Sequence, residues 1–218
     1  MLSLILSLLI AVFAFGTGAG RLFKKGTPMY WQLYICAAGC FALRQLSETV
    51  NFLCGIQGNI GVGMLGIFGC NFFLLSANYG TLDKVVDDGS TENKSARRLA
   101  LLAPAVLAVL VTLVFFAWRK KDIVCGALWL LVLLPVLPAS YFNTKHLLMP
   151  LDPFELLRAT RLCNLVSLGF YLLSAFYGVF CALGNTLLAG GTSVVLSVSM
   201  LLLVGVAIKG REKWKTCS

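Results

Sequence analysis

Seven apolar runs, each of bilayer-crossing length, divide this chain: 1–19, 28–53, 60–79, 98–118, 123–142, 160–183 and 187–208. A helix needs about 20 apolar residues to cross the hydrocarbon core, and within lipid only helices and closed barrels satisfy their own backbone polar groups. The runs therefore predict an all-α, polytopic membrane bundle of seven transmembrane helices, a single domain over 1–218 with short connections. At 59% hydrophobic and 12% charged residues, the chain has too little polar surface to cover a water-soluble fold of this length. The first run is followed, not preceded, by the basic stretch "RLFKK", so it reads as a transmembrane helix rather than a secretory signal.

Basic residues collect on the cytoplasmic side of a membrane protein and so give its orientation. With the N-terminus out and the C-terminus in, the inner segments carry Arg21, Lys24 and Lys25; Lys84, Lys94, Arg97 and Arg98; Lys145, Arg158 and Arg161; and Lys209, Arg211, Lys213 and Lys215. The outer side holds only Arg119, Lys120 and Lys121, leaving Arg44 in or beside the second run. Topology and attraction to anionic inner-leaflet lipid account for the net charge of +9. Nucleic-acid binding, which needs a basic face on a soluble domain, is excluded as a function class. The localisation expected is the cell membrane, as a multi-pass protein.

Polar residues inside such runs are expensive, which makes them informative. Taking Tyr30 as the inner boundary of the second helix, Arg44 lies about 9 Å below the outer surface. Glu48 stands one turn above it and Asn51 on the same face, so Arg44 and Glu48 form an i, i+4 pair expected to neutralise itself toward protein or a water-filled cavity. A helix end lying further out, with Arg44 snorkelling to the headgroups, is the competing reading. On the sixth run, Asn164, Ser167, Tyr171, Ser174 and Gly178 follow a 3,4,3,4 spacing down one face. Arg44, Glu48, Asn51, Tyr171 and Ser174 are accordingly the candidate ligand-pocket residues. Asn71 and Asn78 add polar contacts on the third run, whose Gly58, Gly61, Gly63, Gly66 and Gly69 fit close helix packing in lipid. Gly63, Gly66 and Gly69 are the packing candidates there, and Gly16 and Gly20 play the same part on the first helix.

Other features read as structural. Pro135 and Pro138 should kink the fifth helix. The segment 79–98 reads as a solvated cytoplasmic connector, with Asn93 or Ser95 capping the next helix. Pro150 and Pro153 lie in a second inner loop, beside which His146, the single histidine, reads as an interface residue next to Lys145 with no chemistry placed on it. Cys36, Cys40, Cys70 and Cys163 fall inside runs as small hydrophobes, while Cys54, Cys125 and Cys181 near outer helix ends leave room for one disulfide.

No HExxH, paired intramembrane aspartates, GxSxG or Walker-type loop occurs, so neither catalysis, a metal nor a cofactor is expected. Lys209 sits at the end of the last run rather than within it, unlike a retinal Schiff-base lysine. The seven-span layout resembles that of the sugar-transporting SWEET and PQ-loop transporters, but there is no Pro-Gln pair. It is also similar to the seven-helix input domains that precede bacterial kinases and cyclases. Neither similarity rests on a motif, and no family is assigned. The expectation is a ligand-binding or sensory membrane module with an outward-facing polar pocket, in contact with membrane lipid, taking a small-molecule ligand and coupling to a cytoplasmic protein partner. A small-solute transporter of two-repeat type is the alternative.

Overall fold

The protein is described by a computed structural model over residues 1–56, 62–83, 87, 89, 93–149 and 156–217. Gly58, Gly61, Lys84, Pro150 and Pro153 lie outside these residues. The described residues form helices without strands: α1 (Leu2–Leu22), α2 (Met29–Leu53), α3 (Val62–Ser76) running into a π-helical turn (Ala77–Leu82), α4 (Lys94–Ala100), α5 (Leu102–Arg119), α6 (Ile123–Leu133), α7 (Val136–Leu148), α8 (Leu156–Leu183) and α9 (Thr186–Cys217).

Among the described residues, five helical stretches are long and apolar enough to cross a membrane: Leu2–Leu22, Lys94–Arg119, Ile123–Leu148, Leu157–Leu183 and Thr186–Lys213. The helix α2 has 25 residues but carries Gln32, Arg44, Gln45, Glu48 and Asn51, whereas the described part of α3 has 15. The interruptions have local causes. Pro135 lacks an N–H and separates α6 from α7, the break expected of it. Pro104 does the same one turn after the α4–α5 junction at Leu101. Tight connections are capped: the Asp122 carboxylate accepts from Val124 N–H at 2.8 Å, and Asn185 Oδ1 accepts from Leu188 N–H at 3.0 Å. Gly184, at φ +70°, provides the left-handed residue that closes α8.

The helices close into a ring. The first, α1, packs between α2 and α9; α3 lies against α2 and against α6 and α7; α5 lies against α6, α7 and α8; and α8 meets α9. Leu9, Phe13, Val109, Leu113, Leu165 and Leu202 point outward and are exposed, while Asn71, Asn78, Asn143, Asn164 and Ser167 are fully buried. This is the reverse of a soluble protein's distribution and suits a bundle solvated by lipid.

The approach of α3 to α2 depends on Gly66. A Cβ there would stand 2.7 Å from the Cys40 carbonyl oxygen and 3.0 Å from the Arg44 backbone nitrogen, so only glycine permits this spacing. Gly69 lies against Cys40 and Gly63 beside Glu48. Gly16 and Gly20 face open space; on α1 the close contact is instead at Gly18, against Val204 and Ile35. The cysteines Cys54, Cys125 and Cys181 are free thiols.

Candidate functional site

With α4–α5 and α6–α7 each taken as one stretch, successive helices alternate in direction, which gathers the chain N-terminus, the C-terminal end of α2, the start of α3, the α5–α6 turn and the α8–α9 turn at one end of the bundle. A cavity of about 760 Å³ occupies that end, within the size range of small-molecule sites. At its floor stands the α2 charge pair. Arg44 Nη2 lies 2.8 Å from Glu48 Oε1, with the arginine side chain 1% and the glutamate 26% exposed. Tyr177 of α8 donates its hydroxyl to the same Glu48 oxygen at 3.2 Å, and its ring lies 4.4 Å from the Arg44 guanidinium. Phe41 supports the guanidinium from another side at 5.5 Å.

Part of this pair remains uncommitted. Arg44 Nη1 and Glu48 Oε2 are buried and have no hydrogen-bond partner. Such atoms are costly to leave bare in a low-dielectric setting, and both belong to side chains that line the cavity. The walls are aromatic and apolar: Trp118 and Trp129 stack at 6.5 Å, with Met64, Ile67 and Phe52 around them. The Trp118 indole is fixed by donating to the Gly178 carbonyl at 3.2 Å. Gly178, placed in the polar stripe by its spacing, lets α8 approach this tryptophan pair: a Cβ would stand 3.0 Å from Val114 and 3.2 Å from Trp129.

Of the five candidate pocket residues, Arg44, Glu48 and Asn51 line the cavity. Tyr171 and Ser174 do not. Both are fully buried lower in the bundle, and Ser174 donates to its own helix at the Phe170 carbonyl, 2.9 Å away. The stripe turns toward the bundle centre, where Asn143, Asn164, Ser167 and Tyr171 are all fully buried. Tyr177 was missed by the spacing argument, because it stands one residue off the stripe and meets Glu48 across 129 positions of sequence.

The opposite end holds a second charge cluster, in the segments read above as a solvated connector and an interface histidine. His146 is fully buried, with Nε2 3.0 Å from Asp83 Oδ1 and Nδ1 3.4 Å from Asn78 Oδ1. The Lys145 ammonium pairs with Asp83 and, at 3.1 Å, with Asp87. Arg97 of α4 grips Asp87 bidentately at 2.8 and 2.9 Å. Asn93 occupies the position before α4 but makes no side-chain cap. Burial alone would raise the Asp87 carboxyl, but hydrogen bonds from Arg97, the Gly89 N–H and Lys145 outweigh it and hold its pKa at about 2. The same opposition, with His146 and Lys145 as donors, lowers Asp83.

Among the described residues no group of His, Cys, Asp and Glu is arranged to hold a metal ion. Set beside known proteins, the chain matches no family model, no curated protein and no solved structure.

Proposed function

We propose that this protein is a ligand-binding or sensory module of the cell membrane, crossing it seven times with the N-terminus outside and the C-terminus inside. In this reading α2 and α3 are the second and third crossings, which complete the ring between α1 and the α6–α7 stretch. The basic segments then face the cytoplasm, and the cavity opens outward. One observation carries the reading: the residues lining the cavity lie toward one end of the bundle. The cavity stops at Arg44, Glu48 and Tyr177, and below them Phe41, Phe170, Tyr171 and Tyr34 are fully buried. A recognition site needs one entrance, whereas alternating access needs a path to both faces. A partner protein would read the bound state through the cytoplasmic loops.

Thiol labelling in intact cells, with the native cysteines replaced, tests both orientation and one-endedness. Asn51→Cys and Thr186→Cys should react with an impermeant maleimide from outside, and Ser95→Cys only after permeabilisation. The reverse pattern would overturn the orientation. Reaction of Ser167→Cys from both faces, or solute uptake by proteoliposomes, would make the protein a transporter instead.

A further inference from the structure

Resting on the binding role proposed above, we propose that the cavity takes a small zwitterion with an apolar body, of the α-amino-acid kind, its carboxylate on Arg44 and its ammonium on Glu48. The uncommitted atoms specify the chemistry. Arg44 Nη1 is a donor without an acceptor, and Glu48 Oε2 is an acceptor without a donor. The two side chains are already paired through their other atoms at 2.8 Å, so their free atoms are neighbours offering one site of each sign. A monoanion would satisfy the guanidinium but set a second negative charge beside Glu48; a monocation would do the converse to Arg44. A molecule with adjoining carboxylate and ammonium groups satisfies both and leaves the site neutral. Tyr177, which donates to Glu48 Oε1 and stacks on the guanidinium, keeps the pair from rotating away. The rest of the cavity, with Trp118, Trp129, Met64 and Ile67, calls for an apolar or aromatic body. Entry is from water: Asn51 and Thr186, which also line the cavity, lie at helix ends.

The test uses the full chain in nanodiscs of phosphatidylglycerol, with L-phenylalanine as the probe. Its two halves are 3-phenylpropionate, which lacks the ammonium, and phenethylamine, which lacks the carboxylate. Thermal stabilisation and the fluorescence of the cavity tryptophans report binding. Phenylalanine should bind saturably, each half at least about tenfold more weakly, because each loses a charge-assisted contact and strands a partner. In the double variant Arg44→Leu/Glu48→Leu, which leaves no lone charge, the three probes should bind alike. If either half binds the wild type as tightly as phenylalanine, the zwitterion is overturned while the binding role stands. If none binds although Asn51→Cys is labelled from outside, the ligand class falls alone; if the labelling also fails, the outward cavity falls with it. Displacement of phenylalanine by phosphatidylethanolamine would put a lipid headgroup of the same chemistry in the site and overturn the aqueous source.

Discussion

At the N-terminal end of the bundle Arg44 meets one carboxylate and borders a cavity, whereas at the other end Lys145 meets two carboxylates that are themselves held by His146 and Arg97. Both ends bury a cation. They differ in what the surrounding atoms still need. The Lys145 cluster ties the π-helical turn, α4 and α7 together with charges of both signs shared among several partners, an arrangement that fixes helix ends. The Arg44 pair leaves a donor and an acceptor without hydrogen-bond partners on side chains that line a cavity. Buried charge by itself therefore says little about function; the count of unmet hydrogen bonds, and whether they face room for a ligand, separates a tie from a site.

The largest expected effect comes from breaking the Arg44 pair one side at a time. Glu48→Leu strands an arginine that is 1% exposed and should lower stability in detergent by on the order of 3 kcal/mol. Arg44→Leu should do less, about 2 kcal/mol, because Glu48 is 26% exposed and can take up water. The double Leu variant should recover most of the loss in a thermal or chemical unfolding series. Small single effects that simply add in the double variant would mean that both side chains are already bathed in water, and the comparison between the ends would collapse.

At the other end a single removal should matter less, since each acid retains a partner: Lys145→Met is expected to lose about 1 kcal/mol. Acid sharpens the contrast further. Asp83 and Asp87 have folded pKa values below their ordinary range, so the stability they contribute is complete above about pH 5 and is lost as the pH falls toward 2. The protection of amides 93–100, corrected for the pH dependence of intrinsic exchange, should therefore fall below about pH 4 in the wild type. Protection independent of pH between 5 and 2 would mean that this cluster does not hold α4 in place.

How much of this was readable beforehand differs by interaction range. Apolar runs marked the helices, and the fixed 3.6-residue period put Arg44, Glu48 and Asn51 on one face from sequence alone. Local chemistry also announced the break at Pro135. What stayed hidden was set by distant partners. His146 and Lys145 sit in a stretch that looks like a basic loop, yet α7 continues to Leu148 because Asp83 and Asp87, some 60 positions earlier, cancel the charge. Tyr177 could not be chosen over Tyr171 without knowing how α8 is rotated against α2. The glycines of α1 show the same limit, since spacing suited Gly16 and Gly20, but the neighbours stand at Gly18.

The smallest effect concerns the contacts that belong to neither end. Gln45 reaches Ser193 and Ser197 of α9 at 3.3 and 3.5 Å, long hydrogen bonds between two buried faces. Gln45→Leu should change stability by only about 0.6 kcal/mol, the average for a polar contact within a membrane bundle, as read by the same unfolding series. A loss as large as that of Glu48→Leu would extend the special status of the charge pair to the whole of α2.

One mechanical consequence follows from Gly66. It is where α3 presses hardest on α2, with no side chain between the backbones, and α3 continues past it in both directions: Gly63 and Met64 border the cavity, while Asn78 and Asp83 meet His146. As a stiff rod resting on that point, α3 with the π-helical turn that continues it is a lever with one arm of about 5 Å and another of roughly 25 Å. A displacement of a few tenths of an ångström at the short arm is multiplied about fivefold at the long one, unless the looser winding of the π-helical turn absorbs it as torsion.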